Sequence, residues 1–151
     1  MNITPTKLNT YMAFKLPAAY LCGVRTRFIN DKKCEVVVKH RWINQNPFKS
    51  MFWAVQGMAA EFTTGALMMA KIQLTGKKMS MLVTANRASY SKKARGKITF
   101  TCKDGELVDA LLEKAIATGA GETLTMTSIG VDEAGDEVST FHFEWSVKLK
   151  V

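Results

Sequence analysis

Residues 46–71 read NPFKSMFWAVQGMAAEFTTGALMMAK, the longest apolar stretch in the chain with helical periodicity. Asn46 suits a helix N-cap, and Pro47 suits the first helical position, where a backbone N–H would have no partner anyway. Met51, Val55, Met58, Phe62, Ala66 and Met69 then recur at helical spacing as one stripe. Phe52, Trp53, Ala59, Ala60 and Leu67 widen the apolar surface beyond that stripe, and a helix apolar around most of its circumference is normally enclosed by other elements. Lys49, Gln56, Glu61, Thr63 and Thr64 break the run too often for a lipid-spanning segment. The stretch predicts a helix buried in the middle of the protein.

Glu61 is the lone carboxylate of that helix. Burying an ionised carboxylate without partners is costly, so such a group is paired, protonated or used. Two readings stay open: Glu61 reaches solvent through a gap between elements, or it is a general base or nucleophile with a raised pKa.

At 151 residues, 47% of them hydrophobic, the chain is long enough for one domain with a real core, spanning residues 1–151, and is too apolar to be disordered. The N-terminus carries no charged-then-apolar leader and there is no second apolar run, so neither secretion nor a membrane is expected. Cys22, Cys34 and Cys102 make an odd set without C-x-x-C spacing; they read as small strand residues in a reducing compartment, the cytoplasm, and no metal site is expected. The charge is +8, from 21 Lys and Arg against 13 Asp and Glu. That balance suits an anionic partner (nucleic acid, a phosphorylated cofactor or an acidic carrier protein) without choosing among them, and a solvated basic surface is equally compatible.

Outward from the central helix, Thr4-Pro5 opens a short helix that Pro17 stops. Residues 21–30 and 34–42 alternate and are joined by a short polar link, which reads as a hairpin leading directly into the central helix. A strand over residues 79–90 and a returning strand carrying Ile98, Phe100 and Cys102 flank the basic turn 91–97. Asp104 is placed to cap an amphipathic helix that Gly119 and Gly121 end. Two strands follow, 122–132 and a last one with Phe141, Phe143, Trp145, Val147, Leu149 and Val151 on one face. That row reads as core rather than as a base-stacking platform, and His40 and His142, far apart and without a nucleophile motif, read as structural. Six strands in hairpins imply an antiparallel sheet, and one long apolar helix asks that sheet to curve around it.

This order resembles the α+β hotdog fold, a curved antiparallel sheet wrapped around one long central helix. The run N-P-F-K-S-M-F-W-A-V-Q-G-M-A-A-E-F-T-T-G sharpens the likeness. It is similar to the helix of a largely uncharacterised hotdog branch related to phenylacetate-pathway acyl-CoA thioesterases. In those enzymes an Asn precedes the helix, His-Gly-Gly begins it, and an acidic residue stands four before a Gly. Asn46, Glu61 and Gly65 match these positions, whereas Phe52, Trp53 and Ala54 replace His-Gly-Gly.

The resemblance implies thioester hydrolysis at a site shared by two copies of the chain in a homodimer, and pairing of dimers into a tetramer stays open. Glu61 is the implied base or nucleophile, with Asn46 or Gln56 orienting the water or the carbonyl. Amides in the first helical turn would stabilise the oxyanion. Trp53 is expected to obstruct the thioester or reshape the acyl pocket. Coenzyme A enters as part of the substrate, and no separate cofactor is expected. Its phosphates suit Lys92, Lys93, Arg95 and Lys97, with Lys49 and Ser50 in the first turn also fit for an anion. Plainer roles stay open beside these: Asn46 as a cap, Gln56 paired with backbone, the basic run as a solvated turn. The alternative function is a non-catalytic acyl or acyl-CoA binder, which the missing His-Gly-Gly favours; nucleic-acid binding has only the net charge behind it.

Overall fold

The structure is a computed structural model and describes residues 2–150. Thr4 accepts from the Lys7 amide at 3.3 Å and Pro5 occupies the first turn of α1 (Pro5–Lys15). Pro17 ends that helix and also begins a second, α2 (Pro17–Leu21), because a proline lacking an N–H is harmless at a helix start. β1 (Arg25–Ile29) and β2 (Cys34–Lys39) form the first hairpin. After the central helix α3 (Trp53–Thr75) come β3 (Met79–Tyr90) and β4 (Lys97–Cys102). α4 (Gly105–Thr118), β5 (Glu122–Val131) and β6 (Glu137–Leu149) complete the chain.

The strands make one antiparallel sheet in the order β1-β2-β4-β5-β6-β3. Its inner face carries Val36 and Val38 of β2, Ile98 and Phe100 of β4, Met126 of β5 and the β6 row Phe141, Phe143, Trp145 and Val147, all buried. Val151, placed at the end of that row by its alternation, lies outside the described residues. α3 crosses this face chiefly over β2, β4 and β5. Its buried polar groups find partners across the core: Thr63 with Ser128 at 2.9 Å, Trp145 Nε1 donating to Thr64 at 2.8 Å, and Ser139 donating to Gln56 at 2.8 Å. The buried Lys71 reaches Asp109 of α4 at 2.6 Å.

The central helix begins later than its sequence indicates. Asn46 is not its cap and Pro47 is not in its first turn; Phe52 is the N-cap residue and Trp53 the first helical one. The Asn46 side chain instead closes a loop on itself, its Oδ1 accepting from the amides of Phe48 at 2.9 Å and Ser50 at 3.2 Å. Lys49 adopts a left-handed φ of 56°, which no helix continues through, and Gln45 bridges Met51 in antiparallel fashion. Lys49 and Ser50 are therefore loop residues, and Met51 is buried as part of that loop. A 3₁₀ turn, Trp42–Asn44, also separates β2 from it. Smaller corrections follow the same logic. Cys22 ends α2 and only Cys34 and Cys102 are strand residues. Asp104 stands at the N-cap position of α4, but its carboxylate accepts from the Thr127 amide at 2.7 Å and so ties the loop to β5.

The last strand pair shapes the site. β3 and β6 slip register between Val83 and Ala85. Beyond this bulge Asn86, Ala88 and Tyr90 pair with Phe143, Phe141 and Ser139 and join the inner face. All three are exposed, since α3 packs chiefly over β2, β4 and β5 and does not cover the edge strand β3.

Candidate functional site

A cavity of about 500 Å³ opens where the start of α3 meets the 46–52 loop and the basic turn after β3. Asn46, Ser50, Trp53, Gln56, Lys92 and Lys93, six of the residues singled out by sequence, line it together. The rest of its wall is mostly apolar: Phe48, Met51 and Phe52 from the loop, and Tyr90 from the end of β3. Periodicity gave no hint of Tyr90, which is exposed at the tip of a strand; the signal was its position immediately before the basic turn. The turn and the loop are laced together by the Met51 amide donating to Ala94 O at 2.8 Å and by Arg95 Nε donating to Lys49 O at 3.2 Å.

The amides of Trp53 and Ala54, in the first turn of α3, have no acceptor within the helix, whereas those of Val55 and Gln56 turn back to Phe52 O at 3.0 and 3.3 Å. The positive end of the helix dipole thus lies at the cavity. Gln56 is buried beneath it with its amide oxygen taken by Ser139 and its Nε2 3.5 Å from Met51 O. Asn46 is spent on its own loop, with Nδ2 donating to Ser50 Oγ at 3.0 Å.

The basic run divides. Lys92 is held by Asp132 at 2.6 Å and Asp136 at 2.7 Å, contacts that raise its pKa and lower that of Asp132. Lys93 is without a carboxylate partner among the described residues and stands 6.0 Å over the Phe48 ring. Arg95 and Lys49 do not line the cavity, and Lys97 lines a different one.

Glu61 is also outside it. Eight residues beyond Trp53, it lies about 12 Å further along the axis of α3. Its carboxylate is half-buried and forms no hydrogen bond or ion pair among the described residues, and burial pushes its pKa above the ordinary carboxylate value. Gly65 makes room for it: a β-carbon there would stand 3.5 Å from Glu61 Oε1 and 3.3 Å from Trp145 Cζ2. Ala54, Gly57, Met58 and Glu61 form the part of α3 that its own sheet leaves half open. No group of three or more His, Cys, Asp or Glu among the described residues is placed to hold a metal ion. No helix there is long and apolar enough to cross a membrane.

One long helix enclosed by a curved six-stranded antiparallel sheet, with a cavity at the helix start, is the hotdog fold. The chain belongs to the family described as a domain of unknown function (DUF4442), whose pattern matches residues 6–147. Solved structures share the architecture over nearly the whole chain. A Pseudomonas aeruginosa protein of unknown function, described as a probable thioesterase, superposes with a TM-score of 0.80 at 18% identity, covering 97% of each chain. A Chlorobaculum tepidum protein of unknown function reaches 0.82 at 14% identity, over 97% of this chain and 98% of its own. A Haemophilus influenzae thioesterase reaches 0.65 at 12% identity, over 99% and 93%. At these identities the likeness establishes the fold. No protein with a curated description matches the sequence.

Proposed function

We propose that the protein is a thioesterase that hydrolyses acyl-CoA at a site completed by two copies of the chain. The observation that carries this reading is the separation of its two halves. Trp53, whose amide together with that of Ala54 is free to stabilise an oxyanion, lines the cavity, while Glu61, unpaired among the described residues, lies about 12 Å along the same helix on a half-open face. A second copy laid against the strip formed by Gly57, Met58 and Glu61 with Asn86, Ala88 and Tyr90 would bring one copy's carboxylate to the other's helix start. β3 supports such pairing, because it is a 12-residue edge strand with one hydrogen-bonded neighbour.

In this arrangement Glu61 takes a proton from water as the water oxygen attacks the thioester carbonyl carbon. The negative charge passes to the carbonyl oxygen, where the two amides and the helix dipole stabilise it. Collapse of the tetrahedral intermediate breaks the C–S bond, and the proton on Glu61 goes to the departing sulfur. A carboxyl whose pKa is raised by burial suits this two-way transfer. Lys93 is the cation of the cavity rim best placed for a carrier phosphate, since Lys92 is already neutralised by two carboxylates. Three free cysteines fit a reducing compartment, and we place the protein in the cytoplasm on that ground.

The test is thiol release from short, medium, long and aromatic acyl-CoAs by wild type and Glu61→Ala. Loss of about 100-fold or more in kcat in a folded, dimeric variant is the expected result for a general base. Unchanged turnover would remove Glu61 from the chemistry. Trp53 favours a second reading, a binder without turnover, because its bulky side chain occupies the helix start where the related enzymes have glycine. Saturable acyl-CoA binding without thiol release would establish that one.

A further inference from the structure

We infer that the outer face of the β1-β2-β4 end of the sheet carries a second anion site, one that takes the phosphate group of a small ligand. This inference is independent of the reading above and uses a different cavity, of about 280 Å³, which shares no residue with the first. Four cations line it: Arg25, Lys39, Arg41 and Lys97. No carboxylate lines it, and none of the four is ion-paired among the described residues. The nearby acids are engaged elsewhere. Glu35, two residues before Val37 on β2, is held by Lys33 at 2.7 Å, and Glu133 accepts from the Lys97 backbone amide at 2.8 Å.

The cluster is built rather than scattered. Arg25 Nη1 donates to Tyr20 O and Val24 O, both at 2.7 Å, and its guanidinium lies 3.5 Å over the Tyr20 ring. Its Nε and Nη2 make no hydrogen bond among the described residues. Arg41 packs on Gly23, whose φ of 91° and missing β-carbon both matter, since a β-carbon would stand 2.4 Å from Arg41 Nη2. The buried Asn44 anchors this corner, its Nδ2 donating to Cys22 O and Lys39 O at 2.9 Å and its Oδ1 accepting from the Arg41 amide at 2.8 Å.

Lys39 and Lys97 are direct cross-strand partners in the β2–β4 register. Like charges so placed repel and destabilise the pair, a cost that a bound anion would relieve. Four cations without a counter-charge exceed what one carboxylate balances and suit the several oxygens of a phosphate, with the two guanidinium forks supplying directional donors.

Thermal unfolding of the full chain, with pyrophosphate and ADP as probes and sodium chloride at matched ionic strength as control, tests the inference. Either phosphate should raise Tm by about 3 °C at roughly tenfold excess over its Kd, beyond the effect of salt. Lys39→Gln and Lys97→Gln, which alter exposed side chains, should leave the anion-free protein at least as stable and weaken phosphate binding about tenfold. Equal responses to the two probes would point to free phosphate or diphosphate as the source, and stronger binding of ADP to a nucleotide. A response no larger than that to salt, or one unchanged in both variants, would overturn the site.

Discussion

The indole nitrogen of Trp145 donates a 2.8 Å hydrogen bond to Thr64 Oγ1, pinning the broadest side chain of β6 across the middle of α3. The Thr64 hydroxyl in turn donates to Glu61 O at 2.8 Å, so the wall beside Glu61 is fixed by two successive bonds. Gly65 sits under that wall, and a β-carbon on it would meet Trp145 Cζ2 at 3.3 Å.

Gly65→Ala is therefore expected to lose stability, although alanine is intrinsically better in a helix. The propensity gain is about 1 kcal/mol, whereas forcing a pinned ring from a packed core costs about 1–3 kcal/mol. Chemical denaturation should show a lower midpoint, and the loss should shrink in a Trp145→Phe background, where the smaller ring leaves room.

Glu61 predicts a particular pH dependence. Burial raises its pKa, so the folded protein holds the proton more tightly than the unfolded chain does. Below the unfolded-state value, about 4.3, both states are protonated and the ionisation penalty is absent. Stability from this group falls as pH rises from there through the raised folded value, then levels off. Glu61→Gln should consequently melt above wild type at pH 8, and the difference should close in acid; a difference independent of pH would contradict the burial.

The Gln56–Ser139 bond is the structural counterpart to these. Gln56→Ala strands the Ser139 hydroxyl, which is 1% exposed, at a cost of about 1–3 kcal/mol. The double variant with Ser139→Ala should cost less than the sum of the two single changes. Full additivity in urea titrations would show that the bond contributes nothing.

Asn46 holds the lip of the cavity. Asn46→Ala removes the acceptor of the Phe48 and Ser50 amides, so their hydrogen exchange should quicken while that of the α3 core is unaltered. The expected loss of stability is about 1 kcal/mol, in keeping with one exposed-loop hydrogen-bond set.

Ala88 tests the assembly. It lies on the inner face of β3, exposed and opposite Phe141. Ala88→Arg would place a charge within the strip proposed to receive a second copy, and sedimentation should then find monomer where wild type is dimer. A wild-type monomer, or a variant that still dimerises, would remove that strip as the interface.

Much of the fold was legible in residue order. The alternation of residues 79–90 marked β3 with the bounds the structure has, and all six strands and three of the four helices are present in the order read, although the strand read over 21–30 begins only at Arg25, after α2, and the one read over 34–42 ends at Lys39. The error at the start of α3 has a clear cause. An Asn before a Pro serves equally as a helix cap and as the hinge of an Asx-closed loop, because both use the same side-chain oxygen on amides two or more residues ahead. Only the left-handed Lys49 and the Gln45–Met51 bridge decide between them, and neither is a property of local composition.

The site divides in the same way. Asn46, Ser50, Trp53, Gln56, Lys92 and Lys93 were each singled out as candidates from sequence, and tertiary structure gathers them around one cavity. It also separates residues that sequence had grouped. Lys97 turns to another cavity, Lys92 is neutralised by Asp132 and Asp136 some forty residues on, and Glu61 is carried along the helix away from its amides. Sequence by itself determined most of the elements and the enclosed, largely apolar character of the central helix, since hydrophobic periodicity acts over a few residues, although Met58 and Met69 of the stripe it marked are half open. Which charges are paired, which polar groups are spent and which face of α3 is left uncovered were decided only by the fold, because each depends on a partner distant in the chain.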